Sequence, residues 1–458
     1  MVGWASTKKL ERKETDMTAL STIEFALPAA GKLPESLQLY RQKSKTGLTE
    51  IASPTRKTES WKYSAKRLGL QESYACVTPP SADYQPVYAL DCDTLILANG
   101  RLQSHDLNIS GLTIKAFADL SDAEAQRVQS GLVAQSNDLQ FATLNAACLQ
   151  DGVYLSVDAN THIAKPLKLV IQHTGEGMSF PRIFLQLGKG ASICLIEELN
   201  LIADDQPAFS NGVCDIVVEE NAKLQYLRMN LDQSSSQFTA SQQPNCKHPN
   251  CKHIGATGVQ LMRNARFESY CLALGSALGR HDLRVKMLEP GAECSLNGVC
   301  VTRNKQHYDN HTCIEHVAPH CTSHENYRCI ADDQSQIVFN GRIHIHRDAQ
   351  KSAGSMSNNN LLLSSKAEID SKPELEIYAD DVKCAHGTTI GRLNKHEVYY
   401  LKTRGLSEEQ ARLMLTLGFV LEIVRAVPLD EVAEFWEQTL SKALLTQSEL
   451  SLESSDDE

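Results

Sequence analysis

A cysteine and a histidine lie two residues apart in the segment Cys384-Ala-His386. Alternate residues of an extended strand point to the same face, so both side chains would lie on one side of a strand. A deprotonated thiol and a neutral imidazole are ligands for iron, and a thiolate can also accept sulfur. Asp380, Asp381 and Lys383 add charge beside the pair. The segment is the strongest candidate for a metal or catalytic pair, but the residues alone favour a buried cysteine beside a surface histidine.

A tandem pentapeptide supplies four more metal-ligand side chains. It places Cys246, His248, Cys251 and His253 within eight residues. Soft and borderline ligands at this density could hold a metal ion. A duplicated peptide in an exposed loop explains the same pattern, and we favour the loop.

Two further groupings are weaker. The spacing in the first is irregular, which favours packing and polar surface over metal contact. Its members are Cys294, Cys300, Cys313, Cys321, Cys329, His307, His311, His316, His320 and His324. The second is His344-Ile-His346, whose imidazoles would share one face of a strand. We interpret it as a surface pair.

Composition and missing motifs exclude several function classes. No GxxxxGK[ST], GxGxxG or GxSxG loop is present, so any phosphate chemistry would come from a partner. No two cysteines have CxxC spacing, which removes the commonest zinc and cluster signatures. A net charge of −11 argues against a nucleic-acid binder.

The chain carries no predicted membrane span, and its first sixteen residues lack the apolar core of a signal peptide. Met17 is an alternative start. We therefore expect a cytoplasmic protein that does not bind membranes, and we expect its fourteen cysteines to be reduced thiols.

Helices are predicted near both ends. Residues 34–44 and 121–132 predict two N-terminal helices, and Ser121 with Glu124 forms a capping box at the second. Ser407 with Gln410 begins another helix, and residues 429–445 predict the last one.

Between these regions, a tight turn followed by alanine and an extended segment recurs. The copies begin at Gly190-Ala191, Asn221-Ala222, Asn264-Ala265 and Gly291-Ala292, with a later copy at Ala367 and a degenerate one at Ser335. Repeated strand–turn units of this size favour a parallel β-solenoid, in which a small alanine fits the corner of each coil. A β-sandwich built from hairpins is the alternative, but two-residue Asn-Gly or Asp-Gly hairpin turns are scarce.

Several segments together resemble the SufB/SufD family of the SUF iron–sulfur cluster assembly machinery, and within it the SufD members. They are Pro54-Thr-Arg-Lys57, Trp61-Lys-Tyr63, Asp309-Asn-His-Thr312, the segment 316–323, Phe339-Asn-Gly-Arg342, Asp348-Ala-Gln-Lys351, Asn360-Leu-Leu-Leu363, the segment 372–391 and Tyr400-Leu-Lys-Thr-Arg-Gly405. The similarity covers roughly residues 30–445, and the segment 372–391 is the most specific part. The Ala-His-Gly that follows Cys384 and the chain length favour SufD over SufB.

The resemblance implies a mainly β fold, a right-handed parallel β-helix core with N- and C-terminal α-helical domains. With it, the predicted organisation is a flexible N-terminal extension 1–30, an N-terminal helical region 31–149, a β-helix core 150–393, a C-terminal helical domain 394–446 and an acidic tail 447–458. The first sixteen residues and the tandem pentapeptide depart from the family pattern.

The resemblance also implies a non-enzymatic scaffold that pairs with SufB through the β-helix and binds the ATPase SufC through the C-terminal helices. His386, and less firmly Cys384, match the residues at the SufB contact, where His386 would hold iron or the forming cluster transiently. No cofactor would be bound permanently. Tyr400, Arg404 and Phe419 fall in the segment 399–425 that matches the SufC-contacting region. A homodimer in the absence of SufB is a further expectation.

The rival function is a stand-alone β-helix enzyme acting on carbohydrate. It would need paired acids on one face of the solenoid. Asp380 and Asp381 are adjacent and would point to opposite faces of a strand, which weakens this alternative.

Overall fold

The structure, a computed structural model, describes residues 32–68, 88–132, 139–174, 177–202, 208–231 and 251–445. The predicted extension 1–30 and the acidic tail 447–458 lie outside these ranges. The described residues form six α-helices: α1 Glu35–Leu48, α2 Asp122–Gly131, α3 Gln140–Ala147, α4 Lys395–Thr403, α5 Glu408–Val424 and α6 Asp430–Leu444. Within these ranges, no helix is long and apolar enough to cross a bilayer.

The same residues form 20 strands. They are β1 Asp93–Ala98, β2 Arg101–Leu102, β3 Leu112–Ala116, β4 Val153–Val157, β5 Leu167–Thr174, β6 Gly177–Ser179, β7 Arg182–Leu187, β8 Ser192–Ile202, β9 Ala208–Val218, β10 Lys223–Leu231, β11 Cys251–Leu261, β12 Arg266–Leu274, β13 Leu278–Met287, β14 Glu293–Thr302, β15 His307–His316, β16 Thr322–Ala331, β17 Gln336–Ile345, β18 Ala353–Leu362, β19 Glu368–Ile377 and β20 Lys383–Gly391.

Strands from β8 onward alternate between two sheets and pair in parallel with the strand of the coil before and after. Sheet 1 ends in the order β14-β16-β18-β20, and sheet 2 ends in the order β13-β15-β17-β19. Equivalent residues of successive coils therefore form columns. One column runs through Ser192, Lys223, Arg266, Glu293, Thr322, Ala353 and Lys383. This topology confirms the parallel β-solenoid and excludes the hairpin sandwich.

The turn-and-alanine repeat marks the corners of the coils, as predicted. Gly190, Asn221, Asn264 and Gly291 all have positive φ, a conformation that glycine and asparagine tolerate best. The alanines that follow them are at most 1% exposed. The assignment of Ser335 and Ala367 to the same repeat is wrong, because they precede β17 and β19 and so belong to the corners of sheet 2. Both corner types need a small residue, which made them look alike in the sequence.

The N-terminal region 31–149 contains more than helices. The capping box at Ser121 is present, and α1 and α2 begin within one residue of their predicted starts. However, β1, β2 and β3 also fall in this region and extend the two sheets. Asn99 and Gly100 have positive φ between the antiparallel strands β1 and β2. This Asn-Gly turn was the sequence signal that could have revealed the hairpin.

Helices cover the outer surface of both sheets. Trp436 of α6 and Val420 of α5 are fully buried in a cluster with outward-facing residues of sheet 1, among them Leu227 and Val299. On sheet 2, α3 contacts β9 and β11. The capping box at Ser407 begins α5, and Gly405 lies just after α4 with a φ of 98°. Because the helices stop short of the last coil, the strands β19 and β20 remain open to solvent.

The corner alanines generate a stability prediction. Ala265 is fully buried, so Ala265→Leu would force a large side chain into a filled corner. We expect the free energy of unfolding to fall by about 1–3 kcal/mol. The matched control is Arg266→Leu at the next, exposed position, where loss of the surface ion pair with Glu293 would cost less than about 1 kcal/mol. Equal losses in urea denaturation would contradict the corner assignment.

Candidate functional site

The C-terminal end of the solenoid is an open edge in both sheets. β20 pairs only with β18, and β19 pairs only with β17, so their outer backbone groups have no strand partner among the described residues. Most side chains of β20 are exposed. Apolar groups are also exposed here: Tyr378 is 61% and Ile390 50% exposed. An uncovered apolar strand edge is typical of a surface that pairs with another chain.

Cys384 and His386 lie on β20, at this open end. Cys384 is half-buried and packs against the interior core, and it pairs in register with Gly354. His386 pairs in register with the buried Met356 of the coil below. Both side chains therefore share the inward-facing side of the strand, as the spacing predicted. His386 is exposed because no further coil covers it.

The chemistry of this pair depends on losing the thiol proton. Partial burial raises the pKa of the Cys384 thiol, while a hydrogen bond with the backbone of Gly354 lowers it. The free thiol is therefore mainly protonated at neutral pH, and metal binding would displace its proton. No three His, Cys, Asp or Glu side chains of the described ranges cluster closely enough to hold a metal ion. As metal ligands, these two side chains would be fewer than a complete site needs.

Asp380 and Asp381 lie in the turn between β19 and β20, whereas Lys383 is the first residue of β20. The Asp381 carboxylate is 3.0 Å from the Lys351 ammonium, and the Asp381 carbonyl accepts a hydrogen bond from the Lys351 backbone. Asp381 therefore closes the corner of the last coil. Asp380 and Asp381 are thus not strand residues, so the expectation that they point to opposite faces of a strand is wrong.

The segment 294–329 uses its thiols and imidazoles for packing and hydrogen bonding. Cys294, Cys300 and Cys329 are buried, and burial raises the pKa of each thiol, to about 12 for Cys329. His316 lies 2.8 Å from the Ser323 hydroxyl, and burial lowers the pKa of the His316 imidazole to about 4. His324 bonds Ser355 on the outer side. No disulfide joins the cysteines of the described ranges.

The two histidines of His344-Ile-His346 lie on one face, as predicted, with ring centroids 4.4 Å apart. His344 is 2.8 Å from the Glu376 carboxylate, and His346 is 3.7 Å from that of Glu315. They belong to a polar outer surface of sheet 2. The neighbouring Cys313 lies in the same surface and accepts a hydrogen bond from Arg342.

The tandem pentapeptide is not wholly a loop. Cys246 and His248 lie outside the described residues. Cys251 and His253, in contrast, begin β11 and are buried, so the exposed-loop interpretation is wrong for the second copy. The imidazole of His253 lies 3.0 Å from the guanidinium of Arg228. The Cys-x-His spacing matched the alternation of a strand, and that was the missed signal.

The predicted contact region on the C-terminal helices has an exposed part and a docked part. Tyr400 is exposed on α4, and Arg404 donates a hydrogen bond to its hydroxyl at 3.1 Å. Met414 on α5 is 58% exposed. Phe419 is half-buried against the solenoid, and its carbonyl accepts a hydrogen bond from Arg328. Tyr400, Arg404 and Met414 are therefore accessible, whereas Phe419 is docked on the solenoid.

A buried acid lies two coils below His386 in the same column. Glu325 pairs in register with Met356, which pairs with His386. Glu325 is 3% exposed, and neither carboxylate oxygen has a hydrogen-bond partner among the described residues. The nearby Thr312 hydroxyl favours the charged form of Glu325, although the two groups do not have the geometry of a full hydrogen bond. Burial is the larger effect and raises the pKa of Glu325 to about 7. In the sequence, the signal for Glu325 is only a polar side chain at an inward strand position, too weak to single the residue out.

Comparison with known proteins points to one family. Residues 170–419, just over half of the chain, match the family model described as SUF system FeS cluster assembly, SufBD core domain. The chain is 28% identical to the "Iron-sulfur cluster assembly protein SufD" of Escherichia coli, over 88% of this chain and 91% of the relative. It is 27% identical to the "Iron-sulfur cluster assembly SufBD family protein slr0076" of Synechocystis, over 95% of this chain and 97% of the relative. It is 26% identical to "Protein ABCI7, chloroplastic" of Arabidopsis thaliana, over 90% of this chain and 87% of the relative.

Glu325 gives the interior a measurable pH dependence. Its pKa is raised from 4.5 to about 7 in the folded chain, so the folded state holds the proton more tightly than the unfolded state. Its stabilising contribution is complete below about pH 4.5 and is lost as the pH rises to about 7. Relative to Glu325→Gln, the wild-type free energy of unfolding should therefore fall by about 3 kcal/mol across this window.

The measurement is urea denaturation at a series of pH values. Glu293→Gln, at an exposed position of β14, is the matched control and should keep the wild-type slope. A Glu325→Gln chain with the same slope as wild type would contradict the assignment.

Proposed function

The chain belongs to the SufBD core family of the SUF iron–sulfur cluster assembly system, and we propose that it serves there as a SufD-type scaffold subunit without enzymatic activity of its own. The observation that carries the proposal is the open end of the solenoid, where Cys384 and His386 share one side of an uncovered strand. A cytoplasmic location and reduced thiols are part of this proposal.

The proposed chemistry is transient holding of iron or of a nascent cluster. A thiolate and an imidazole both bind iron, but two ligands leave a coordination sphere incomplete. We propose that a SufB partner supplies the remaining ligands across the open end. Iron and cluster are then cargo of the complex, and this chain retains no permanent cofactor.

Pairing with SufB would use the free edges of β19 and β20. Their unpaired backbone groups can extend each sheet into the partner. The exposed side chains of Tyr378, Ile377 and Ile390 would be buried at the same time. The same edge would support a homodimer in the absence of SufB.

Binding of the SufC ATPase would use α4 and the start of α5. Tyr399, Tyr400 and Met414 expose apolar surface there, and Arg404 lies beside the Tyr400 ring. Aromatic and arginine side chains are typical of residues that dominate interface energies. The absence of a phosphate-binding loop from the sequence fits a division of labour in which SufC hydrolyses ATP.

The first test concerns the site. The chain is co-expressed with SufB and SufC, and the iron and sulfide bound to the purified complex are measured. His386→Ala should lower cluster content at least severalfold without dissociating the complex, because the edge of β20 remains. The matched control His324→Ala removes an exposed histidine from the outer side of β16 and should leave loading unchanged. Wild-type loading in His386→Ala would contradict the role of the pair.

The second test separates the two partners. Tyr400→Ala with Met414→Ala should weaken retention of SufC about tenfold or more, while SufB still co-purifies. Leu39→Ala removes an equally exposed apolar side chain from α1 and should affect neither partner. Failure of the wild-type chain to co-purify with SufB and SufC would refute the scaffold proposal itself.

A further inference from the structure

One buried side chain contacts both terminal strands of the solenoid. Asn358 of β18 is fully buried. Its Oδ1 atom lies 2.7 Å from the Ser371 hydroxyl on β19 and 3.5 Å from the Thr388 hydroxyl on β20. Its Nδ2 atom faces the Tyr327 carbonyl of the coil below, at 3.5 Å. Asn358 thus connects the two open strands with each other and with the covered coils.

The hydroxyls of the terminal strands also bond directly. The Ser371 and Thr388 oxygens are 2.9 Å apart. A consistent arrangement has Thr388 donating to Ser371, and Ser371 donating to Asn358. Because Ser371 belongs to sheet 2 and Thr388 to sheet 1, this chain of hydrogen bonds connects the two sheets at the open end, where Thr388 is exposed.

A second amide holds the backbone of β20. Asn360 Nδ2 donates to the Thr389 carbonyl at 2.9 Å and to Asn358 Oδ1 at 2.7 Å. Asn360 is 2% exposed. Asn358, Asn360, Ser371 and Thr388 therefore form one connected group, which we call the interior clamp.

The clamp acts where ordinary packing ends. β20 pairs with a strand on one side only, and most of its side chains are exposed, so little apolar burial fixes its position. A hydrogen bond contributes about 0.5–1.5 kcal/mol, and a buried donor left without a partner costs more. Several linked bonds at this edge can therefore hold the strand where the hydrophobic core cannot.

We propose that the interior clamp positions Cys384 and His386. Thr388 follows His386 by two residues and Cys384 by four, so all three side chains lie on the inward side of β20. Fixing Thr388 fixes the rotation of the strand and keeps the thiol and the imidazole aimed together before a partner or a metal arrives. This inference rests on the proposed function, because the clamp would orient a pair that is proposed to hold metal.

The test compares Thr388→Val, which removes the hydroxyl at nearly constant shape, with Thr388→Ser, which keeps it. Thr389→Val is the matched control, because the Thr389 hydroxyl bonds Asn359 on the exposed outer side. Two properties of the full-length chain are measured: hydrogen–deuterium exchange of the β20 amides, and Co²⁺ binding followed by the thiolate-to-cobalt absorption band.

Thr388→Val should speed exchange in β20 and weaken Co²⁺ binding, each by about threefold to tenfold. Thr388→Ser should restore both, and Thr389→Val should stay within about twofold of wild type. Asn358→Ala should exceed the effect of Thr388→Val, because it removes the acceptor that Ser371, Thr388 and Asn360 share; the threonine variants decide the question if this variant does not fold.

The outcomes separate the clamp from the proposed function. Unchanged β20 exchange in Thr388→Val would overturn the clamp, whatever the cobalt result. A second outcome is that Thr388→Val speeds β20 exchange and Thr388→Ser restores it, while the wild-type chain binds no Co²⁺. This outcome would support the clamp and count against metal holding by the isolated pair. Weaker Co²⁺ binding in Thr388→Ser equal to that in Thr388→Val would contradict a role for the hydroxyl.

Discussion

Parallel, in-register pairing between successive coils is the constraint on which the rest of this structure depends. It stacks equivalent residues in columns about 4.8 Å apart, so each corner must accept the same small residue and the same positive φ. It also gives every coil a neighbour that satisfies its backbone, except at the ends. At the N-terminal end, the chain supplies β2 and β3 as antiparallel closing strands. At the C-terminal end, β19 and β20 are left uncovered.

This end concentrates features that the covered coils exclude. Inside the solenoid, thiols such as those of Cys294 and Cys300 are buried in the packed core, and this burial raises their pKa. At the last coil, the same inward-facing side of a strand carries Cys384 and His386 within reach of solvent. Polar side chains take over there from apolar packing, as Asn358 and Ser371 illustrate. Incomplete burial thus makes the last coil suitable for chemistry and for a partner.

The sequence predicted the features that depend on local pattern. The corner alanines, the capping boxes at Ser121 and Ser407 and the shared side of Cys384 and His386 follow from turn chemistry and strand alternation. The assignment of Ser335 and Ala367 to sheet 2 could not be predicted, because both kinds of corner demand a small residue. The spacing of Cys251 and His253 did indicate a strand, but their burial could not be predicted, because it is set by the coils on either side of β11. The importance of Glu325 and Asn358 could not be predicted either, because it depends on the register that places both residues beneath the open end.

We propose that the open end is one half of a site that a SufB partner completes. The most direct test is hydrogen–deuterium exchange of β19 and β20 in a monomeric preparation of the chain and in its complex with SufB. We expect strong protection of both strands in the complex, together with loss of Cys384 alkylation, while the exchange of covered strands such as β12 and β14 stays unchanged. Equal exchange of β19 and β20 in the two states would contradict it.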